Sequence, residues 1–361
     1  MSESNKGSLA DLLVKLDKVV GVSGDESLVA EAIRAEMSGY YHEHYEDALG
    51  NNVFIRKGKR DDLKLMLSAH MDELGFLVNY IEESGMVRFV PVGYHDDRMI
   101  IDQDLVIHTG DGPIYGITGA KPAHILTEEE RKKVIPLSDI FIDVGTSERK
   151  ETEKLGVKIG DFVSFNRTGY FMNGGKVFSG KSVDDRSGCA VMVEVMKRLK
   201  DEDIIPTIYA VASVQEEIGI RGAGVAAYTI KPDVALALDV TLSGGTPGVE
   251  IKDVSIQLGK GAAIKFYDWA PHNGNIGNAV PKKLTGKLVE LAEANGIQYQ
   301  REVLMNAGTD GWSISLSGNG VLTGVISIPS RYIHSAIGTV HMDDMENAVR
   351  LIISYIKQYG L

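Results

Sequence analysis

Leu63-Lys64-Leu65-Met66-Leu67-Ser68-Ala69 is a short apolar run that passes directly into His70-Met71-Asp72. The run fits a buried strand, and the residues just beyond it are of the kind that bind cations or move protons. In open α/β sheets ligands bind beyond the carboxyl ends of the strands, so this junction sets what to look for elsewhere in the chain.

Working outward, the pattern repeats. Toward the amino end, Leu9, Leu12, Leu13, Leu16, Val19 and Val20 follow the spacing of an amphipathic helix. Ser23-Gly24-Asp25-Glu26 reads as a capping box for a second helix, whose stripe is Val29, Ile33 and Met37. Toward the carboxyl end a helix after Asp185 carries Met192, Val195, Met196 and Leu199 on one face. Strands are predicted at 206–214, 234–238 and 322–328, with helices near 283–295 and 343–358. Alternating strands and helices imply an α/β fold with a mixed, largely parallel sheet flanked by helices. From about Phe76 to Phe165 the character changes to short β-like runs (LVNYIEE, MVRFVPV, DLVIHT, PIYGITG, FIDVG) separated by glycine turns. The expected division is therefore an α/β domain from 1–73 and 171–361, interrupted by a β-rich, barrel-like domain at 74–170.

Bulk properties are those of an ordinary globular protein: 361 residues, 43% hydrophobic and 24% charged. A formal net charge of -12 argues against nucleic acid as partner. Cys189 is the sole cysteine, which excludes an intrachain disulfide and a cysteine zinc cage and suits a reducing cytoplasm. No stretch approaches the roughly 20 apolar residues of a membrane span, and the first residues lack a signal-peptide pattern. A soluble, cytoplasmic protein is expected.

Five places hold histidine or carboxylate just past a predicted strand: His70-Met71-Asp72, Asp184-Asp185, Glu216-Glu217, Asp239 and His334. Each alone has a bland explanation, a surface loop, a helix start or a satisfied imidazole. All five in order point to one pocket. Crowded carboxylates repel unless cations neutralise them, and imidazole with carboxylate suits zinc, cobalt or manganese. Two cations about 3.5–4 Å apart can share a hydroxide and polarise a carbonyl while one spare carboxylate shuttles the proton. In His70-Met71-Asp72, alternation along a strand lets Asp72 hold the second imidazole nitrogen of His70. In Glu216-Glu217 the neighbouring side chains diverge, so one can bind metal and the other face the water.

These stretches resemble the glutamyl or deblocking aminopeptidase family of dinuclear metallopeptidases, which includes the tetrahedral TET aminopeptidases. The resemblance is carried by 69–75 (AHMDELG), 180–188 (GKSVDDRSG), 215–223 (QEEIGIRGA), 237–240 with 245–248 (ALDV, GTPG), 308–310 (GTD) and 328–335 (IPSRYIHS). Within the insert, 141–145 (FIDVG) and 156–161 (GVKIGD) also match, so the similarity spans nearly the whole chain. It implies a zinc-exopeptidase-like fold and two divalent metal ions per subunit, zinc before cobalt or manganese. One ion would be held by His70, Asp184 and Asp239, the other by Asp184, Glu217 and His334. Glu216 would be the general base and Asp72 the residue orienting His70. A non-proline cis bond between Asp184 and Asp185 is implied as well. So are peptide substrates with a free N-terminus and a homo-oligomer, from dimer to tetrahedral dodecamer.

The chain departs from the family pattern after His334-Ser335, where Ala336-Ile337-Gly338-Thr339 replaces the usual proline and glutamate. Gly311-Trp312 follows Gly308-Thr309-Asp310 where alanine is common, and 269–275 is unusual. No predicted ligand is affected. Arg186 and Arg331 are expected as carboxylate anchors or as structural ion pairs, and Cys189, Met192 and Met196 as core. The reaction read from these residues is removal of the N-terminal residue of a peptide. The alternatives are a two-metal deacylase or amidohydrolase and, less favoured, a glycosidase, whose usual pair of carboxylates works without metal.

Overall fold

The computed structural model describes residues 3–272 and 274–359. Helices α1 (Glu3–Lys18) and α2 (Ser27–Met37) lead into strands β1 (Glu43–Glu46), β2 (Asn52–Arg56) and β3 (Arg60–His70). The next strands are β4 (Gly75–Ile81), β5 (Val87–Val92), β6 (Asp104–Thr109), β7 (Gly112–Thr118), β8 (Ile142–Asp143) and β9 (Phe162–Phe165), with a short helix α3 (Arg149–Lys154) before β9. Then follow β10 (Tyr170–Met172), β11 (Val177–Gly180), α4 (Val183–Arg198), β12 (Pro206–Ser213), α5 (Gly222–Ile230) and β13 (Val234–Leu242). The chain continues through β14 (Ala262–Ala270), β15 (Ile276–Ala279), α6 (Lys282–Ala294), β16 (Tyr299–Met305), α7 (Asp310–Ser315), β17 (Leu322–Arg331), β18 (Gly338–His341) and α8 (Met342–Lys357).

Two sheets result. The large one runs β1-β2-β12-β3-β13-β17-β18-β11-β10, with β14, β15 and β16 branching from β17. Its centre, β12-β3-β13-β17, is parallel, and the flanking pairs are antiparallel. Parallel strands are covered on both faces, and the side-chain alternation along them assigns each face its helices. Leu65, Leu67 and Ala69 of β3 join Leu13, Ile33, Val193, Leu288 and Ile352 in a core beneath α1, α2, α4, α6 and α8. Met66, with Val211 of β12 and Ala237 of β13, faces the other way onto Ala226 of α5 and Ile314 of α7. The mixed α/β expectation holds.

The second sheet closes on itself as a six-stranded barrel, β4-β5-β8-β7-β6-β9. Phe76, Val78, Phe89, Leu105, Ile107 and Val163 fill it. One member of that apolar interior comes from far along the chain: Ala336, two residues after His334, is buried there.

One local reading is corrected. Ser23 and Glu26 do not form a capping box: helix α2 starts at Ser27 with no side-chain cap. The Ser23 hydroxyl instead donates to Asp72 at 2.6 Å, and Glu26 accepts from the amides of Gly24 (2.9 Å) and Gln215 (3.2 Å). A buried carboxylate across the fold outbids the local amide because the bond to a charged acceptor is the stronger one.

Candidate metal centre

The four central parallel strands all end at one rim, and each delivers a site residue there. His70 is the last residue of β3, Glu216 and Glu217 follow β12, Asp239 lies in β13, and His334 follows β17. Asp184 enters from the first turn of α4, joined to Asp185 by a non-proline cis peptide bond. Gln215 and His334 both have positive φ (58° and 59°), a backbone state most residues avoid and that clusters at functional sites.

All five expected ligands converge. His70 Nε2 lies 3.1 Å from Asp184 Oδ1 and 3.9 Å from Asp239 Oδ1. His334 Nε2 lies 3.6 Å from Asp184 Oδ2 and 3.5 Å from Glu217 Oε2. The two oxygens of Asp184 thus face two different imidazoles. Four ligands at about 2.1 Å around one ion in tetrahedral geometry would stand about 3.4 Å from each other, so these spacings fit coordinated donors. Grouping by mutual distance alone gives His70 with Asp184 and Glu217, and His70 with Asp185 and Asp239, each set within 4.8 Å. That grouping shares His70, whereas the orientation of the Asp184 oxygens divides the donors around Asp184. Division around Asp184 is the chemically sounder one, because a carboxylate offers two donor atoms and an imidazole facing the site offers one.

The electrostatics call for cations. Burial, then neighbouring carboxylates, push Glu216, Glu217 and Asp185 well above the usual carboxylate range. Asp239 is pushed up to about 8 by the same causes. Burial pulls His70 down, but the carboxylates of Asp184 and Asp72 outweigh it and hold the imidazole well above its ordinary value. Glu217 Oε1 and Asp185 Oδ2 are buried without a hydrogen-bond partner. Unpaired buried oxygens amid raised carboxylates fit a site built around positive ions.

Around the donors lies a supporting shell that sequence reasoning largely missed. Asp72 sits 3.5 Å from His70 Nδ1, which is closer to the Asp72 carbonyl at 3.1 Å. Its carboxylate mainly grips the next loop, accepting from the amides of Glu216 (3.0 Å) and Glu217 (3.1 Å). Burial opposes ionisation of Asp72, but His70, Ser23 and the Glu216 amide keep its carboxyl below the usual range. Arg186 is fully buried and structural: it donates to the carbonyls of Met71 (2.7 Å), Leu16 (2.7 Å) and Val19 (2.8 Å) and lies 3.5 Å from Glu73. Lys181 pairs with Glu73 as well. Cys189 is core, as expected, its thiol directed at the His70 carbonyl at 3.1 Å. His272 is exposed and His341 caps α8.

The barrel borders the site. A pocket beside Asp184, Glu217 and His334 is lined by Leu74, Phe165, Val183 and Ile333. The ring of Tyr94, on the loop after β5, stands 6.3 Å from that of His334.

A parallel-sheet rim that gathers imidazoles and carboxylates into a cation-demanding pocket defines a metal-dependent hydrolase. The chain belongs to the M42 glutamyl aminopeptidase family, whose model matches residues 50–351. It is 41% identical over 348 residues to a chain from Acetivibrio thermocellus, covering 96% of this chain and 98% of that one. The lysyl aminopeptidase of Pyrococcus furiosus is 33% identical over 351 residues, with 96% of each chain covered. Among solved structures, the TET aminopeptidase of a marine-sediment Thaumarchaeota archaeon superposes with a TM-score of 0.93 at 34% identity, covering 99% of this chain and 98% of that one. The protein is accordingly a metal-dependent aminopeptidase, and the deacylase and glycosidase readings are not favoured. Among the described residues no helix is long and apolar enough to cross a membrane.

Proposed function

We propose that this aminopeptidase works with two divalent ions, zinc before cobalt or manganese, one held by His70, Asp184 and Asp239 and the other by Asp184, Glu217 and His334. The observation that carries this reading is the disposition of Asp184, with Oδ1 toward His70 and Oδ2 toward His334. Such ions, when bound, polarise a carbonyl and acidify water. Glu216, whose Oε2 lies 4.0 Å from His70 Nε2, takes the proton from the attacking water and returns it to the departing amine. Asp72 fixes the loop that carries Glu216 and Glu217 and faces the inner nitrogen of His70.

The substrates are peptides with a free amino end. The chain divides in function as a catalytic unit, 1–73 with 171–361, and an insert, 74–170, that serves access and assembly. We assign a homo-oligomer, from dimer to tetrahedral dodecamer, in the cytoplasm. The chain's similarity to the TET1 peptidase of Pyrococcus horikoshii, which can assemble into a tetrahedron or a large octahedral shell, supports the assembly.

The test is Glu216→Gln, assayed for metal content and for cleavage of aminoacyl anilides with free and acetylated amines. Two ions per chain with turnover reduced at least about 100-fold is expected, as general acid–base residues contribute roughly that much or more. Near-normal turnover would refute the role of Glu216, and efficient cleavage of the acetylated anilide would refute the need for a free amine.

A further inference from the structure

The stretch Gly308-Thr309-Asp310 remains without a role in the chemistry above, yet Asp310 is among the most constrained carboxylates in the molecule. It is 1% exposed, and Oδ2 accepts two hydroxyls at once, Ser213 at 2.6 Å and Ser68 at 3.1 Å, both donors themselves fully buried. Its other oxygen, Oδ1, is buried with no partner.

The placement of those serines gives the arrangement its meaning. Ser68 is two residues before His70 on β3, so both side chains leave the same face of the sheet. Ser213 ends β12 beside His70 in the parallel register, three residues before Glu216. Asp239, two residues beyond Ala237, also leaves β13 on this face, where Ala237 packs among the α5 and α7 residues. Helix α7 begins at Asp310 directly beneath them. One carboxylate therefore clamps the ends of two separate strands, two residues before a candidate ligand and three before the candidate proton carrier.

We infer that Asp310 is a positioning residue of the metal centre: through Ser68 and Ser213 it fixes the ends of β3 and β12, and with them the separation of His70 from Glu216. This rests on the two-ion reading above. Strand ends without such a clamp leave both groups free to shift, and loss of supporting contacts of this kind typically lowers metal affinity or activity by about 10–100-fold.

The experiment is a cycle of variants in the full chain: Asp310→Ala, Asp310→Asn, Ser68→Ala with Ser213→Ala, and the triple alanine variant. The readouts are zinc affinity by titration, the visible spectrum of the cobalt-loaded protein, kcat and KM on an aminoacyl anilide, and the thermal midpoint. Asp310→Ala is expected to lower kcat and zinc affinity by about tenfold or more, to alter the cobalt spectrum and to leave KM within about twofold. The amide of Asp310→Asn still accepts both hydroxyls and should restore most of the loss. The paired serine variant should reproduce Asp310→Ala, and the triple variant should be no worse, since coupled residues are not additive. Wild-type kcat, zinc affinity and cobalt spectrum in Asp310→Ala would overturn the inference, as would losses that multiply in the triple variant. Should Asp310→Ala fail to fold, the single serine variants carry the same comparison. Absence of any anilide cleavage by the unmodified protein would count against the proposed function, while the zinc and cobalt readouts would still decide the role of Asp310.

Discussion

Stripping the metal should make this protein's stability fall as pH rises, the opposite of the usual behaviour of a carboxylate-rich protein leaving acid. The dominant groups all have folded pKa values above their ordinary ones: Asp239 at about 8 against 3.8, with Glu216, Glu217, Asp185 and His70 displaced in the same direction. The folded, metal-free state therefore holds more protons than the unfolded one. Its stability is full below the unfolded carboxylate range and is withdrawn as pH climbs toward 8. Asp239 alone, 6% exposed and hence little screened, withdraws on the order of 1 kcal/mol per pH unit, or a few kcal/mol between pH 5 and 7. That is a large part of the roughly 5–15 kcal/mol that holds a typical protein folded. Asp72 and Glu73, held below their usual values, lose their contribution only as pH falls toward and below 4, outside this window. His95, pulled down to about 4 by burial, opposes the trend up to about pH 6.5, and Glu26, pushed up to about 7 by burial, offsets His95. Equilibrium urea unfolding at pH 5, 6, 7 and 8, at one protein concentration, with chelator or with saturating zinc, reads the effect. The chelated protein should lose at least about 2 kcal/mol between pH 5 and 7, while in the loaded protein cations take the place of those protons and the slope should vanish. Parallel profiles with and without metal, or a chelated protein that gains stability with pH, would refute the reasoning.

Asp184→Asn should release metal from both halves of the site and abolish turnover, because an amide cannot serve two cations as a carboxylate can; metal content after gel filtration checks this. Arg186→Met should destabilise the fold by about 3–5 kcal/mol in urea unfolding, since Glu73 loses one of its two cationic neighbours in a buried setting and three carbonyls lose their donor. Ser23→Ala removes a 2.6 Å bond to the buried Asp72 carboxylate and should cost about 1–3 kcal/mol in stability, with kcat reduced and metal retained.

The sheet and its helices were legible because burial on both faces forces apolar runs at strand length and stripes at helical spacing, as in Leu65–Ala69 and in Val29, Ile33 and Met37. The residues that converge at the sheet's rim were legible because they directly follow those runs. The supporting shell was not. Ser23 and Glu26 satisfy a local helix-start pattern, and only the folded chain reveals the stronger acceptor, Asp72, that draws Ser23 away. Arg186 reads only as a carboxylate anchor or a structural ion pair, since nothing local tells that Glu73, Lys181 and Arg186 will be buried together. Strands β14 to β16 escaped notice because their pairing depends on neighbours far along the chain, and Asp310 because its partners, Ser68 and Ser213, are unremarkable hydroxyls in two distant strands.

The burial of Ala336 inside the barrel has an evolutionary corollary. A module spliced into a loop can ordinarily be trimmed, exchanged or lost without harm to its host. Here the polypeptide that follows β17 threads back into the barrel, two residues past an imidazole of the candidate metal centre. Shortening the insert would unmoor His334, so barrel and peptidase are bound to be inherited as one piece.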